Sequence, residues 1–444
     1  MAHRPERLML FLAWANVRQR PSTYLGTASA VFLAAVLLSM CGVLFASALL
    51  ADSDEDYTGP VAVFATLGAI AVFAALFVVT STVALGVLQR RRELSLLRGL
   101  GAGPRQVRRL ITREALVVAV PVAVLGAAAG LPLAWAMGGL FARAEEIPDD
   151  FAVRADGWPL LVASGCAVSA AYVSAWAAGR RASLGAPASA QVEAGTGGYR
   201  VGPLRVLFGL LFLGGAVAML LVAGTLTDPG LGLGFAFMDS SLAMVGLASL
   251  GPLVAKPVLM CLQPLSRLGR TSAVAHEDLR ADRFRLAATA VPVMLLVTLS
   301  ATMTQAGRAT RDLGERGTNL WSLHVIVVIA VGFSAIAIAN TTVMSVLARR
   351  VDLENLRLAG AGPRQLTAVM RWESVFAALA GVVLGVLVSL ASVTAFGHAA
   401  NLPLGEVLDP LLYLALALIG LVVAAVSADL ATRVARPRPL VSRE

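Results

Sequence analysis

The chain has 444 residues, 58% of them hydrophobic and 14% charged, with a formal net charge of +9. Soluble domains carry about 25% charged residues, so this composition excludes a soluble globular protein and points to a membrane one. Cys41, Cys166 and Cys261 are scattered through apolar stretches without metal or disulfide spacing, and read as inert packing residues.

The N-terminal segment MAHRPERLMLFLAWANVRQR has no short apolar core ending in a small-residue cleavage site, so no cleavable signal is expected. Its Leu8, Phe11, Leu12 and Ala15 share one helical face, which predicts an interfacial helix leading into the membrane. Uncharged runs longer than the ~20 residues that cross a bilayer then follow one another. Span one is expected over about residues 24–51, and span two over about 60–88, after an acidic loop holding Asp52, Asp54, Glu55 and Asp56. Span three is expected over about 115–141 and span four over about 157–178, separated by a loop with Glu145, Glu146, Asp149 and Asp150. An Ala/Gly/Ser-rich stretch from Ala182 to Gly202 reads as a flexible linker. Spans five to ten follow at about 206–226, 238–262, 286–306, 322–347, 374–397 and 410–431. The fold class is therefore an all-α integral membrane protein with about ten spans. Three parts are expected: a first four-span module over 1–181, a linker with two spans over 182–262, and a second four-span module over 263–444.

The modules are recognised by a duplication. RRRELSLLRGLGAGPRQVRRLITRE, from Arg90 to Glu114, returns 259 residues later as RRVDLENLRLAGAGPRQLTAVMRWE, from Arg349 to Glu373. Arg90, Arg91, Leu94, Leu97, Arg98, the run Gly101 to Gln106, and Glu114 recur identically, and Glu93 recurs as Asp352. Asn16, Val17 and Arg18 are echoed by Asp278, Leu279 and Arg280, at an offset of 262. Leu94, Leu97 and Leu100, three apart, predict a short amphipathic helix with Glu93 at its positive end. Gly101 supplies a left-handed stop, and Gly103-Pro104 a fresh start with proline at the first helical position. Val107, Leu110 and Ile111 then share one face of a second helix, with Arg105, Arg108, Arg109 and Arg113 elsewhere. Each copy is thus a basic helix, sharp turn and helix between two spans.

Ten spans put both termini on one side of the membrane. The segments holding the termini, both repeats, the linker and the 263–285 loop contain 30 of the 36 basic residues, so these face the cytoplasm by the positive-inside rule. Arg308, Arg311 and Arg316 fall outside by this count. Lys256, the one lysine, sits in GPLVAKP, which lacks the glycine and the Ser or Thr of a phosphate-binding P-loop. The chain is therefore read as no ATPase, with no cofactor or metal of its own.

The duplicated motif with its flanking spans resembles the FtsX-like permease family, the membrane subunits of MacB-type ABC transporters, in a ten-span duplicated form. The resemblance implies that each helix–turn–helix is a coupling helix docking on a separate ABC ATPase subunit, a dimer that holds ATP and magnesium. The residues implied in docking are Glu93, Leu94, Leu97, Arg98, Gly101, Pro104, Arg105 and Gln106, and in the second copy Asp352, Leu353, Leu356, Arg357, Gly360, Pro363, Arg364 and Gln365. Many relatives carry a large extracytoplasmic domain, whereas here the corresponding loops, about 52–60 and 308–319, are too short to fold alone. That shortness points to a hydrophobic or amphipathic substrate captured from the membrane or its surface.

The residues also have plainer readings. Arginine clusters beside spans set topology and anchor lipid headgroups, but they leave the identical GAGPRQ turn unexplained. A DNA-binding helix–turn–helix does not fit a unit wedged between membrane spans, so no nucleic-acid partner is expected. Thr80-Ser81-Thr82 and Asn340-Thr341-Thr342 read as interhelical hydrogen-bonding groups before gating ones. Lys256 reads as a residue snorkelling from the end of span six, and His324 and His398 take no role. A signal relay to an extracellular partner and a secondary carrier are the alternative functions. The outer loops argue against the first, and no ionisable residue is singled out within the spans for the second.

Overall fold

The computed structural model describes residues 21–51, 58–143, 147, 151–184, 202–223, 225, 229–312, 320–399, 402–403, 405 and 408–435. The N-terminal interfacial helix, the acidic residues of the two loops, most of the linker, and Arg316 lie outside them. The described residues contain helix and no strand. In chain order the helices are α1 (Pro21–Leu49), α2 (Thr58–Gln89), α3 (Arg91–Gly99), α4 (Pro104–Arg143), α5 (Gly157–Leu184), α6 (Pro203–Ala223) and α7 (Pro229–Cys261). A 3₁₀ turn (Gln263–Leu268) leads to α8 (Arg270–Ala281), α9 (Arg283–Asp312), α10 (Leu320–Ala348), α11 (Arg350–Leu358), α12 (Pro363–Ala399) and α13 (Pro410–Ala435).

Ten of these helices are long and apolar enough to cross a membrane. Pro21, Pro104, Pro203, Pro229, Pro363 and Pro410 each stand at a first helical position, where the missing N–H costs nothing and the fixed φ suits the helix. The expected separation between the second helix of each repeat and the following span is absent. α4 and α12 each run unbroken from the turn through the apolar run. Between Pro104 and Ala115 no glycine or proline interrupts the hydrogen-bond ladder, and Thr112 turns its hydroxyl back onto the carbonyls of Arg108 and Arg109.

The chain forms two compact units. The first comprises Met1–Tyr199 with Glu315–Ile329, the second Arg200–Gly314 with Ala330–Glu444. In the first, α1 packs against α2, α4 and α5. The α1–α4 contact is close because α4 presents glycine: a Cβ on Gly126 would lie 2.6 Å from the Phe32 carbonyl oxygen, and one on Gly130 2.7 Å from that of Val36. Ser39 Oγ donates to the Ala127 carbonyl at 2.8 Å across the same seam. Small residues that let backbones approach are the usual membrane substitute for hydrophobic attraction, which lipid does not supply.

In the second unit α9 is the central helix and packs against α7, α12 and α13. Its seam with α12 repeats that of α1 with α4. A Cβ on Gly385, the repeat position of Gly126, would lie 3.0 Å from the carbonyl oxygen of Met294, the repeat position of Phe32. Thr302 Oγ1 donates to Ser389 Oγ at 3.2 Å nearby. The echo of Asn16 to Arg18 ahead of span seven lies on α8, which turns Ala275, His276 and Leu279 inward against α12. At the end of this unit away from the repeat, Arg308 pairs with Asp409 at 2.8 Å, matching the charge that sat badly with the positive-inside count.

Candidate functional site

Each unit carries one copy of the duplicated turn, and the two copies have the same geometry. α3 ends with Ala102 N–H donating to Leu97 O and Gly101 N–H to Arg98 O, both at 3.0 Å. This is a Schellman closure, and it needs a left-handed residue at its corner. Gly101 takes φ 96°, and Gly360 takes φ 95° in the second copy, where Ala361 donates to Leu356 O and Gly360 to Arg357 O. The next helix starts at once. Gln106 folds back so that Oε1 accepts the Gly103 N–H at 2.9 Å, and Gln365 does the same for Gly362. With Pro104 and Pro363 at the first helical position, every residue of the GAGPRQ run but its arginine serves the turn or sits within it.

Beneath the turn lies an ion cluster. Arg90 occupies the one-residue break between α2 and α3 and points its guanidinium inward. Its Nε donates to Glu93 at 3.3 Å, Nη1 to the Tyr24 hydroxyl at 2.7 Å, and Nη1 and Nη2 to the Glu114 carboxylate. Glu114 is 2% exposed. Burial works against the arginine's charge, but the Glu114 carboxylate, together with Tyr24 and Glu93, outweighs it and holds the Arg90 pKa above its ordinary value. Arg349 repeats the arrangement with Asp352 at 3.1 Å and with Glu373, while Asp278 of α8, at 3.1 Å, takes its remaining nitrogen. Here Arg285 adds a second cation, 3.3 Å from Glu373. Each short helix is thereby pinned at its first turn to the long helix that follows it.

These contacts sort the residues singled out in the sequence. Glu93 and Asp352 brace the pinning arginines. Leu94 and Leu353 are buried, Leu353 in a cluster with Val369, Met370 and Phe376. Gln106 and Gln365 cap. Arg105, Arg357 and Arg364 are exposed, and Arg98 is half-buried. The three leucines expected to make α3 amphipathic do not share one environment. Leu94 alone turns in, while Leu97 lies at the edge and Leu100 is 87% exposed. The helix is only nine residues long and touches the bundle through its first turn, so its last turn stands clear. Leu96 is exposed beside them, and in the second copy Leu358 is 82% exposed with Leu356 half-buried.

Sequence reasoning did not select Tyr24, Arg90, Glu114, Asp278, Arg285, Arg349 or Glu373 as site residues. The signal for four of them was present: an arginine and a glutamate identical at both ends of both repeats, with the acid opening an apolar run. Of the in-span polar groups, Thr80 accepts from Ser174 on α5 at 3.0 Å, an interhelical bond. Thr341 is buried and returns its hydroxyl to the Ala337 and Ile338 carbonyls. Lys256 is exposed on α7. Asp239, at the very start of the expected span six, was not singled out among the ionisable residues of the spans. α7 starts at Pro229, ahead of the acid, and holds it well inside the helix.

A family model described as FtsX-like permease C-terminal matches residues 65–185 and 324–439, more than half of the chain. The chain belongs to the FtsX-like permease family. Each matched segment contains one pinned helix–turn–helix with the helices on both sides of it. No curated protein matches the permease.

Proposed function

We propose that this permease is the transmembrane subunit of an ABC transporter, of the MacB-like type, driven by a separate ATPase that docks on α3 and α11. The observation that carries the reading is the pair of pinned helices. Each is fixed to a long spanning helix by a buried arginine–glutamate contact and ends in exposed leucines beside arginines. Exposed large apolar side chains on an otherwise polar bundle end mark a partner surface. A push on such a helix reaches α4 or α12 without a flexible joint, because a one-residue break on one side and a two-bond turn on the other leave little slack.

In this reading the repeats, the linker and both termini are cytoplasmic, as the arginine distribution requires. ATP and magnesium belong to the ATPase dimer, and the permease exports or extracts a hydrophobic or amphipathic molecule. The test uses the exposed leucines, whose replacement leaves packing untouched. Leu100→Asp and Leu358→Asp place a charge in the docking surface. Each variant should insert and purify at wild-type levels while losing co-purification of the partner ATPase. Retention of the ATPase by the double variant would move the docking surface elsewhere.

A further inference from the structure

The second unit buries an acid that ATPase docking does not use. Asp239 on α7 is 3% exposed, and Gln305 on α9 is 1% exposed. Both stand toward the end of the bundle away from the helix–turn–helix. The Asp239 carboxyl group lies in hydrogen-bonding reach of Ser392 on α12, and no arginine or lysine is among its interactions. Its Oδ1 has no partner, and neither Oε1 nor Nε2 of Gln305 has one.

The register of the helices brings these groups to one level. Thr302 of α9 is bonded to Ser389 of α12, so one turn further along both parallel helices Gln305 comes beside Ser392. Ala236, Ala306, Val393 and Phe396 form one apolar cluster around the same level. The repeat position of Gln305 is Val43, which is fully buried, and that of Ser392 is Leu133. The two repeat positions are polar in one copy and apolar in the other.

An ionised carboxylate in apolar surroundings demands a compensating positive charge. We propose that Asp239 and Gln305 form a binding site for one monovalent cation of the sodium class. Asp239 Oδ1 supplies the charge and one oxygen ligand, Gln305 Oε1 supplies a second, and the closing positive charge leaves the site neutral. Hard cations take oxygen ligands, and a divalent ion would leave a net positive charge here. The site lies between packed helices. The bound ion would tie α7 to α9 and α12.

The experiment is equilibrium binding of radioactive sodium to the purified full-length permease, together with its thermal unfolding midpoint in sodium chloride and in choline chloride at matched ionic strength. One sodium per chain, displaced by acid, and a saturable rise of the midpoint over the choline control are expected. Asp239→Asn should lose both, and Gln305→Leu should shift the sodium titration to concentrations about tenfold higher or more, as loss of a ligand does. Absence of sodium binding to the wild type, with the midpoint responding to pH alone, would show that a proton neutralises the acid and would overturn the proposal. Full binding by either variant would overturn it as well. If Asp239→Asn does not fold, the stoichiometry of the wild type and the shift in Gln305→Leu still decide.

Discussion

Removing the arginine that pins each short helix should expose a difference between two sites whose motifs look alike. In Arg90→Leu the Glu114 carboxylate, 2% exposed, loses the guanidinium that reaches both of its oxygens. Breaking a buried pair by removing one partner costs about 3–5 kcal/mol, because the other charge is left uncompensated. The Tyr24 hydroxyl stays beside Glu114 and can donate to it, which puts the expected loss at about 3 kcal/mol, the low end of that range. In Arg349→Leu, Glu373 keeps Arg285 at 3.3 Å, and the orphaned Asp278 is 33% exposed and reaches water. That substitution should cost roughly half as much, about 1–2 kcal/mol. The double change Arg90→Leu/Glu114→Leu removes both charges and should regain most of the loss. The assay is the unfolding midpoint of each purified variant in detergent, read as a double-mutant cycle. Equal losses at Arg90 and Arg349, or a double variant no better than Arg90→Leu, would refute the account of the two clusters.

Four other outcomes follow from local geometry. Gly101→Val and Gly360→Val each force a β-branched residue to a φ near +95°, at a cost of about 1–2 kcal/mol or more. Nothing lies within 4 Å of the added Cβ, so abundance should hold while stimulation of the partner ATPase falls. Gln106→Ala and Gln365→Ala remove a helix cap and should lower stability by about 1 kcal/mol, measured by the same unfolding midpoints. Gly126→Leu and Gly385→Leu drive a side chain into a backbone carbonyl and should abolish the folded, monodisperse species on gel filtration. The hydrogen bond from Arg308 holds the Asp409 carboxyl below its usual range, slight burial opposing it and the Leu411 and Leu412 N–H groups assisting. A depressed folded-state pKa stabilises above the unfolded value and is lost as pH falls through the folded one. Wild type should therefore exceed Asp409→Asn in stability at neutral pH, and the two should converge below about pH 4.

The spans were legible because lipid forces a helix to be apolar over its whole circumference, and about 20 such residues in a row have no other common reading. The turn was legible because its glycines have a stereochemical task that no other residue performs without strain. The pinning clusters were not, although Arg90 and Glu114 recur in both copies. Tyr24 and Asp278 reach their arginines from 66 and 71 residues away, and periodicity carries no information at that range. The spacing of Leu94, Leu97 and Leu100 marks an amphipathic helix but not which leucine packs, and only Leu94, in the first turn, is buried. Asp239 was passed over because it stands at the very start of the expected span six, where an acid usually marks the membrane boundary. The helix start at Pro229 puts it well inside the helix.

The most direct test of the central claim is ATP hydrolysis by the separately purified ATPase, with and without the permease in lipid vesicles. The permease alone should hydrolyse none, and adding it should stimulate the ATPase. The Leu100→Asp/Leu358→Asp variant, folded and inserted, should give no stimulation. Full stimulation by that variant, or ATP turnover by the permease in the proven absence of any other protein, would contradict the assignment of α3 and α11 as the surfaces through which a separate ATPase drives it.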